Sequence, residues 1–334
     1  MIQTDICIIG AGPVGLFAVF EAGLLKMRCH LIDALPQIGG QLSEIYPKKP
    51  IYDIPGFPEV NAQTLVDNLR QQIAPFKPTF TLGERVDALT RTEDGGFVVT
   101  TVDGTQVKSK VVVIAAGLGS FEPRKPELQN LEHFEGRGVT YMVKDPETFR
   151  RRKLVIAGGG DSALDWTIYL SAIAERVTLI HRNESFRGVP DSAEKVLKLA
   201  DEGKIDLLLS ANLQAVNGNG VVKSVSVMDK QKVVREIETD FLIPLFGLSP
   251  KLGPIADWGL NLDKSAIEVS TVDYATNVEG IFAIGDINTY PGKLKLILCG
   301  FHEAALMAQR AFEFVYPSQK LSFKYTTVNG VNAF

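Results

Sequence analysis

Gly10-Ala11-Gly12-Pro13-Val14-Gly15 follows the apolar run Asp5–Gly10 and opens a helical pattern over Pro13–Leu25, and that setting decides the fold. A G-x-G-x-x-G turn between a strand and a helix divides its labour among three glycines. Gly10 permits the tight turn, Gly12 lets the backbone approach a pyrophosphate, and Gly15 allows close packing of helix on strand. The pyrophosphate sits at the helix N-terminus, where N–H groups and the dipole favour an anion. Pro13 suits a first helical turn, because the N–H it lacks has no intrahelical partner there. The next strand, Arg28–Asp33, ends in Asp33, eighteen residues beyond Gly15. An acid at that point accepts hydrogen bonds from ribose hydroxyls and repels a 2′-phosphate.

The same design returns about 150 residues later. Strand Lys153–Ala157 leads into Gly158-Gly159-Gly160-Asp161-Ser162-Ala163, then a helix near Asp161–Ala174 and strand Arg176–His181. Ala163 replaces the last glycine, a swap the fingerprint admits. The strand now ends in His181-Arg182-Asn183-Glu184-Ser185-Phe186-Arg187. Where the first copy has Asp33, the second has His181 and Arg182, with Arg187 close behind. A guanidinium forms two parallel charge-assisted bonds with a phosphate. A second site built from Gly158, Gly160, Asp161, Ser162 and Ala163 and flanked by those cations is expected to take the 2′-phosphate of NADPH. Two sites of opposite charge preference imply two different nucleotides.

The 334 residues are about twice a typical domain, so two domains are expected. Short apolar runs alternating with helical patterns place the chain in the α/β class with parallel strands. The expected architecture is two Rossmann-like dinucleotide-binding domains of three layers each. Gly117–Pro123 and Phe246–Pro250 are rich in Gly and Pro and read as junctions. Residues 1–119 and 247–334 are then one discontinuous domain, with 120–246 inserted into it.

Hydrophobic residues make up 45% and charged residues 22%, enough for cores that need no metal or disulfide staple. The net charge of −4 argues against a general binder of nucleic acid or anionic membrane. Cys7, Cys29 and Cys299 are odd in number and form no C-x-x-C pair, which fits a reducing compartment. No apolar stretch approaches the ~18 residues of a membrane span. Thr4–Ile9 follows no basic segment and no signal-type apolar core. A cytoplasmic location is expected.

Two further segments narrow the reading. Thr276–Asp286 is read as an apolar strand ending in Gly285-Asp286, and it resembles the second flavin signature of flavoproteins with two dinucleotide domains. Val111–Gly117 resembles the strand that hands the chain from the flavin domain to the pyridine-nucleotide domain. Together the motifs resemble the thioredoxin-reductase-like flavoproteins over essentially the whole chain. Within that group the sequence is most similar to the thioredoxin-reductase-type ferredoxin–NADP reductases. Gly39-Gly40-Gln41-Leu42, Tyr46-Pro47, Asp53–Pro58, Gly158–Trp166, His181–Gly188, Pro291–Ile297 and the tail Tyr325–Phe334 carry that resemblance.

The resemblance implies a homodimer with non-covalent FAD. By position, the family's FAD contacts fall on Asp33, Gln41, Tyr46, Val86, Phe121, Asp286 and Thr327. Tyr46 is implied to stack on one face of the isoalloxazine and Tyr325 to cover the other. The helix after Cys299-Gly300 is expected to aim its N-terminus at the ring. Thioredoxin reductases carry a C-x-x-C pair in the stretch matching Tyr141-Met142-Val143-Lys144, where this chain has no thiol. Electrons are therefore expected to leave from the flavin directly.

These readings converge on hydride transfer from NADPH to FAD and single-electron release to a carrier. The protein mainly positions and tunes the flavin, so no acid or base residue is required, and rotation about the junctions could bring nicotinamide to flavin. Resemblance implies ferredoxin as the carrier. Lys48-Lys49, Arg150–Lys153 and Lys293 with Lys295 are basic clusters able to steer an acidic partner. Two alternatives stay open: an NADPH-dependent flavin or quinone reductase, and a non-enzymatic redox sensor that binds both nucleotides.

Overall fold

The computed structural model describes residues 1–119, 122–249, 251–321 and 330–331. The chain divides into two compact units, Met1–Phe121 with Pro250–Phe334, and Glu122–Ser249.

In the first unit, strands Ile6–Ile9, Cys29–Asp33, Thr79–Leu82, Val111–Ile114 and Ile281–Ala283 form one five-stranded sheet. Every pairing in it is parallel. Strand Ile6–Ile9 lies in the middle, with Cys29–Asp33 on one side and Val111–Ile114 on the other. The strand order reverses at its carboxyl end, the place where α/β sheets receive ligands.

The strands read as unbroken apolar runs because both faces are covered. Ile6, Ile8, Leu31, Val111 and Val113 belong to the cluster that includes Leu16 and Val19 of helix Pro13–Leu24 and Met307 and Ala311 of helix Ile297–Val315. Cys7, Ile9, Ile32, Val112 and Ile114 face the other way, toward Phe97, Val99 and Val107. Those last three come from a second, mostly antiparallel sheet of Ile2–Gln3, Gln106–Ser109, Phe97–Thr101 and Val86–Arg91. Alternation of side chains along each strand thus produces three layers: helices, parallel sheet, antiparallel sheet.

The second unit repeats the plan at smaller scale. Asp206–Leu209, Arg176–His181, Lys153–Ala157 and Phe241–Pro244 form a four-stranded parallel sheet. Asn212–Gly218, Val222–Met228 and Val234–Glu238 form an antiparallel meander. Val155, Ile180 and Leu242 pack with Val216, Val225 and Val227 between them.

Some element ends depart from the sequence reading. The helices end at Leu24 and Ser171, short of the expected Leu25 and Ala174. The expected strand over Thr276–Asp286 is a strand only over Ile281–Ala283. Thr276 causes this: its hydroxyl accepts the Val278 N–H at 3.2 Å and donates to the Ile281 carbonyl at 2.9 Å, folding 276–280 back on itself. Gly280 makes the return at φ +86, where a Cβ would meet the Phe97 ring at 2.8 Å.

Within the first parallel sheet, His30 is 1% exposed. Its Nδ1 lies 2.7 Å from the Thr79 hydroxyl and its Nε2 2.9 Å from that of Thr81. Burial holds its pKa below the ordinary 6.5. The unfolded chain therefore takes up this proton first, so the contribution of His30 is complete above that value and is lost as pH falls through the folded pKa. His30→Gln should lower stability at pH 7.5. The gap to wild type should close by up to ~1.4 kcal/mol per pH unit below the unfolded pKa. Denaturant unfolding at pH 7.5 and pH 5.5 checks this, and a constant gap would contradict it.

Candidate functional site

The first glycine turn is shaped by two packing constraints and one open face. A Cβ on Gly10 would lie 2.3 Å from the Ala115 carbonyl oxygen, and one on Gly15 would lie 2.1 Å from that of Gly10. A Cβ on Gly12 meets nothing within 4 Å. Gly12 is the N-cap of helix Pro13–Leu24 and no side chain caps it. The first turn's N–H groups thus face an approach that an anion can occupy.

Asp33 is fixed beside this turn. Its Oδ2 accepts the Ala11 N–H at 2.6 Å and its Oδ1 accepts the Leu35 N–H at 2.8 Å. Burial raises its pKa, and those two bonds oppose the rise. A carboxylate offers about four lone-pair sites, so Asp33 retains acceptors for ribose hydroxyls. Gly39 donates its N–H to the Ala11 carbonyl at 2.9 Å, and a Cβ on Gly40 would stand 3.2 Å from the Gly12 Cα. Gln41 is thereby held at the same turn, with its Nε2 3.5 Å from where a Cβ on Gly117 would be. The Val86 side chain is buried in the core, so only its backbone is available to a ligand.

Asp286 reaches the site from the other end of the unit. Val14, in the first turn of helix Pro13–Leu24, is the meeting point. A Cβ on Gly285 would lie 3.5 Å from Val14 side-chain atoms, and one on Gly300 would lie 2.3 Å away. The last helix starts at Ile297, so Cys299 and Gly300 occupy its first turn and do not precede it as the sequence reading had it. Burial raises the Asp286 pKa, against Lys295 and Lys293, which lower it.

Tyr46 heads a tight turn in which the Lys49 N–H donates to its carbonyl at 3.0 Å. Its hydroxyl pKa is pushed up to about 12, by burial first and by the Asp286 charge second, so it stays a neutral phenol close to that carboxylate. Phe121, Tyr325 and Thr327 lie outside the described residues.

Sequence reasoning missed Glu303. It is 0% exposed and accepts hydrogen bonds from the Gly285 N–H, the Asn288 amide and the Tyr290 hydroxyl while pairing with Lys293. The available signal was a carboxylate on the same helix face as Gly300, Ala304 and Met307, all of them buried.

The second unit builds its turn differently. A Cβ on Gly158 would lie 2.6 Å from the Leu245 carbonyl oxygen, while one on Gly160 meets nothing within 4 Å. His181 is buried beneath Gly159, whose Cβ would strike the imidazole Cε1 at 2.2 Å. Its Nε2 lies 3.0 Å from the Ser185 carbonyl oxygen, and its ring stacks on Phe186. Burial lowers its pKa, and Arg187 and Arg182 lower it further against the Ser185 bond. His181 is therefore a neutral brace with Nε2 engaged, set behind the turn.

Arg182 and Arg187 are exposed. Their loop returns to the glycines through the Arg187 N–H to the Gly159 carbonyl at 2.7 Å and the Val189 N–H to the Asp161 carboxylate at 2.8 Å. Asp161 thus secures the loop, Ser162 lies exposed at the helix start, and Ala163 is buried.

The thiols offer no redox pair. Cys7 and Cys29 are buried on adjacent strands. Burial pushes the Cys7 pKa up to about 12 and raises that of Cys29 as well. In the Tyr141–Lys144 stretch, the Tyr141 hydroxyl donates to Glu135 at 2.7 Å and Val143 is buried. Among the described residues, no helix is long and apolar enough to cross a membrane.

Two dinucleotide turns, each on a parallel sheet, define a class. Residues 4–309 match the pyridine nucleotide-disulphide oxidoreductase family, and the chain belongs to it. A protein of Flavobacterium johnsoniae named ferredoxin–NADP reductase is 60% identical over 335 residues, covering 100% of this chain and 95% of that protein. One of the same name from a Bradyrhizobium species is 53% identical over 326 residues, covering 98% and 95%. Among solved structures, thioredoxin reductase from Lactococcus lactis superposes with a TM-score of 0.82 at 25% identity, covering 94% of this chain and 99% of that one.

The two kinds of glycine make a testable contrast. Gly12→Val should leave apoprotein stability within about 0.5 kcal/mol of wild type. The same variant should cut dinucleotide affinity at least about a hundredfold, or ~2.7 kcal/mol. Gly10→Val should destabilise the fold itself by about 3 kcal/mol. Thermal unfolding and equilibrium dialysis separate the two effects.

Proposed function

We propose that the chain is an FAD-dependent ferredoxin–NADP(+) reductase, with FAD on the domain of residues 1–119 and 247–334 and NADPH on residues 120–246. One observation carries the assignment of nucleotides to sites. The same glycine turn is built twice, with a fixed carboxylate at the first strand end and two exposed guanidiniums at the second. The full-length similarity to proteins named ferredoxin–NADP reductase supports the reaction.

The residues present fit FAD. The open face of Gly12 and the uncapped helix suit a pyrophosphate, and Asp33 suits the adenosine ribose. Gln41, Asp286 and the Val86 backbone are assigned to the remainder of the molecule. Tyr46 offers a flat aromatic face, with Tyr325, Phe121 and Thr327 assigned by resemblance. On the other domain, Gly160 and the start of helix Asp161–Ser171 suit the NADPH pyrophosphate, and Arg182 and Arg187 suit its 2′-phosphate. FAD held there would supply the conversion between two-electron hydride chemistry with NADPH and one-electron chemistry with ferredoxin. Buried, protonated Cys7 and Cys29 offer those electrons no route through a dithiol. We read the enzyme as a cytoplasmic homodimer, in keeping with its thiol usage and its resemblance.

The basic surface for an acidic ferredoxin is narrower than the sequence suggested. Arg150 pairs with Glu147 at 2.6 Å, Lys153 pairs with Glu238 at 3.0 Å, and Lys293 is turned inward onto Glu303. Lys48, Arg151, Arg152 and Lys295 are exposed and are the candidates for steering.

Steady-state cytochrome reduction with and without ferredoxin tests the reaction. NADPH-driven turnover should depend on ferredoxin, and equal rates without it would favour a general flavin or quinone reductase. Replacing Arg182 and Arg187 together by Ala removes hydrogen bonds to a charged group. The NADPH KM should rise roughly ten- to a hundredfold, while the NADH KM, with no 2′-phosphate contact to lose, changes far less. Equal losses for both nucleotides would remove the 2′-phosphate assignment.

A further inference from the structure

Glu303 is a fully buried carboxylate that the proposed reaction does not use. Its Oε2 accepts the Gly285 N–H at 2.6 Å and the Asn288 side-chain amide at 2.9 Å. Its Oε1 accepts the Tyr290 hydroxyl at 2.9 Å and pairs with the Lys293 ammonium. The Lys293 side chain is itself only 7% exposed. Two oxygens therefore face four donors. Each oxygen takes two of them, so the set is built around an acceptor with no hydrogen of its own to place.

The cluster extends beyond the pair. Lys293 lies 5.2 Å from the Tyr290 ring centroid, and Tyr290 packs on Tyr274 at 5.8 Å between centroids. Tyr274 is buried at φ +58, a costly conformation for a bulky side chain that persists only where the surroundings over-determine it. Its carbonyl accepts the Ala283 N–H at 3.1 Å, which ties the network to the strand that delivers Gly285.

A buried ion pair is a weak way to stabilise a core, since apolar replacements often serve as well. This one does something an apolar pair cannot. Its carboxylate grips the backbone N–H of the residue immediately before Asp286, and Lys293 lies close enough to Asp286 to lower its pKa. We propose that Glu303, paired with Lys293, is a positioning residue that fixes the Gly285 turn and thereby aims Asp286. FAD affinity then depends on a buried acceptor that does not touch the cofactor. The inference rests on the FAD assignment for this domain.

The test compares wild type, Glu303→Gln and the double variant Glu303→Gln with Lys293→Met. Each is stripped of flavin and titrated with FAD by fluorescence quenching, with NADP+ affinity as a control for intact folding of the other domain. In Glu303→Gln an amide N–H2 must confront donors, one of them a lysine that cannot accept. The FAD Kd should rise at least about tenfold, with NADP+ affinity unchanged. In the double variant the cation is gone, so the glutamine oxygen can face Gly285 and Asn288 while its N–H2 donates to the Tyr290 hydroxyl. FAD affinity should return to within about threefold of wild type.

A smaller rise in the single variant overturns the proposal. If that variant does not fold, the double variant decides. Recovery of FAD binding supports positioning, whereas failure to bind FAD or to fold shows a merely structural pair. Wild-type protein that takes up no FAD would instead remove the assignment on which the inference rests.

Discussion

The Ala115 carbonyl oxygen lies 2.3 Å from the point where any side chain on Gly10 would begin, and the arrangement of the first unit depends on that proximity. Strand Val111–Ile114 runs parallel to Ile6–Ile9 in register, so the two strand ends arrive together. The chain can leave the first strand only through a residue with no Cβ. Gly15 repeats the constraint one helical turn later against Gly10 itself. The helix is thus seated on the strand end with its N-terminus open, and the Gly285 turn and the last helix meet it at Val14. In the second unit the Leu245 carbonyl stands in the same relation to Gly158 at 2.6 Å. The duplication is therefore one of packing constraints as well as of letters.

That is why the fold was legible in the sequence. A turn forced by backbone contact leaves a mark no other residue can make, and Gly10, Gly15 and Gly158 carry it. Continuous apolar strands announced a sheet covered on both faces, and the residues 153–157 and 176–181 are strands as read. What escaped in the element ends was set by one short-range hydroxyl bond and one local backbone conformation. The Thr276 hydroxyl shortened a strand. The last helix began at Ile297 because Leu296 takes an extended backbone, which no local signal specified.

Residues of the candidate site differ in how far the sequence foretold their places in the fold. Asp33, Gln41, Arg182 and Arg187 occupy positions where chain topology leaves little choice. Glu303 was hidden because its partners Gly285, Asn288, Tyr290 and Lys293 lie ten to eighteen residues away, and a single carboxylate in a helix ordinarily reads as a solvated position. Lys293 was misread for the same reason. Beside Lys295 it looked like surface charge, yet a buried anion claims it.

The two strand-end residues, Asp33 and His181, show how one scaffold yields opposite charge preferences. Each braces the second residue of its glycine turn: Asp33 through the Ala11 N–H at 2.6 Å, His181 by placing its ring under Gly159. In the first unit the brace is itself the anion, so the group that shapes the turn also repels a 2′-phosphate. In the second unit the brace is an imidazole kept neutral by burial and by two neighbouring guanidiniums. Charge moves one residue onward to exposed Arg182, whose loop returns to Gly159 through Arg187. A direct exchange of Asp33 for Arg would therefore remove the hydrogen-bond acceptor that fixes Ala11 as well as reverse the charge. On the proposed assignment of nucleotides, bracing and charge fall on one residue, Asp33, in the first unit and on two adjacent residues, His181 and Arg182, in the second.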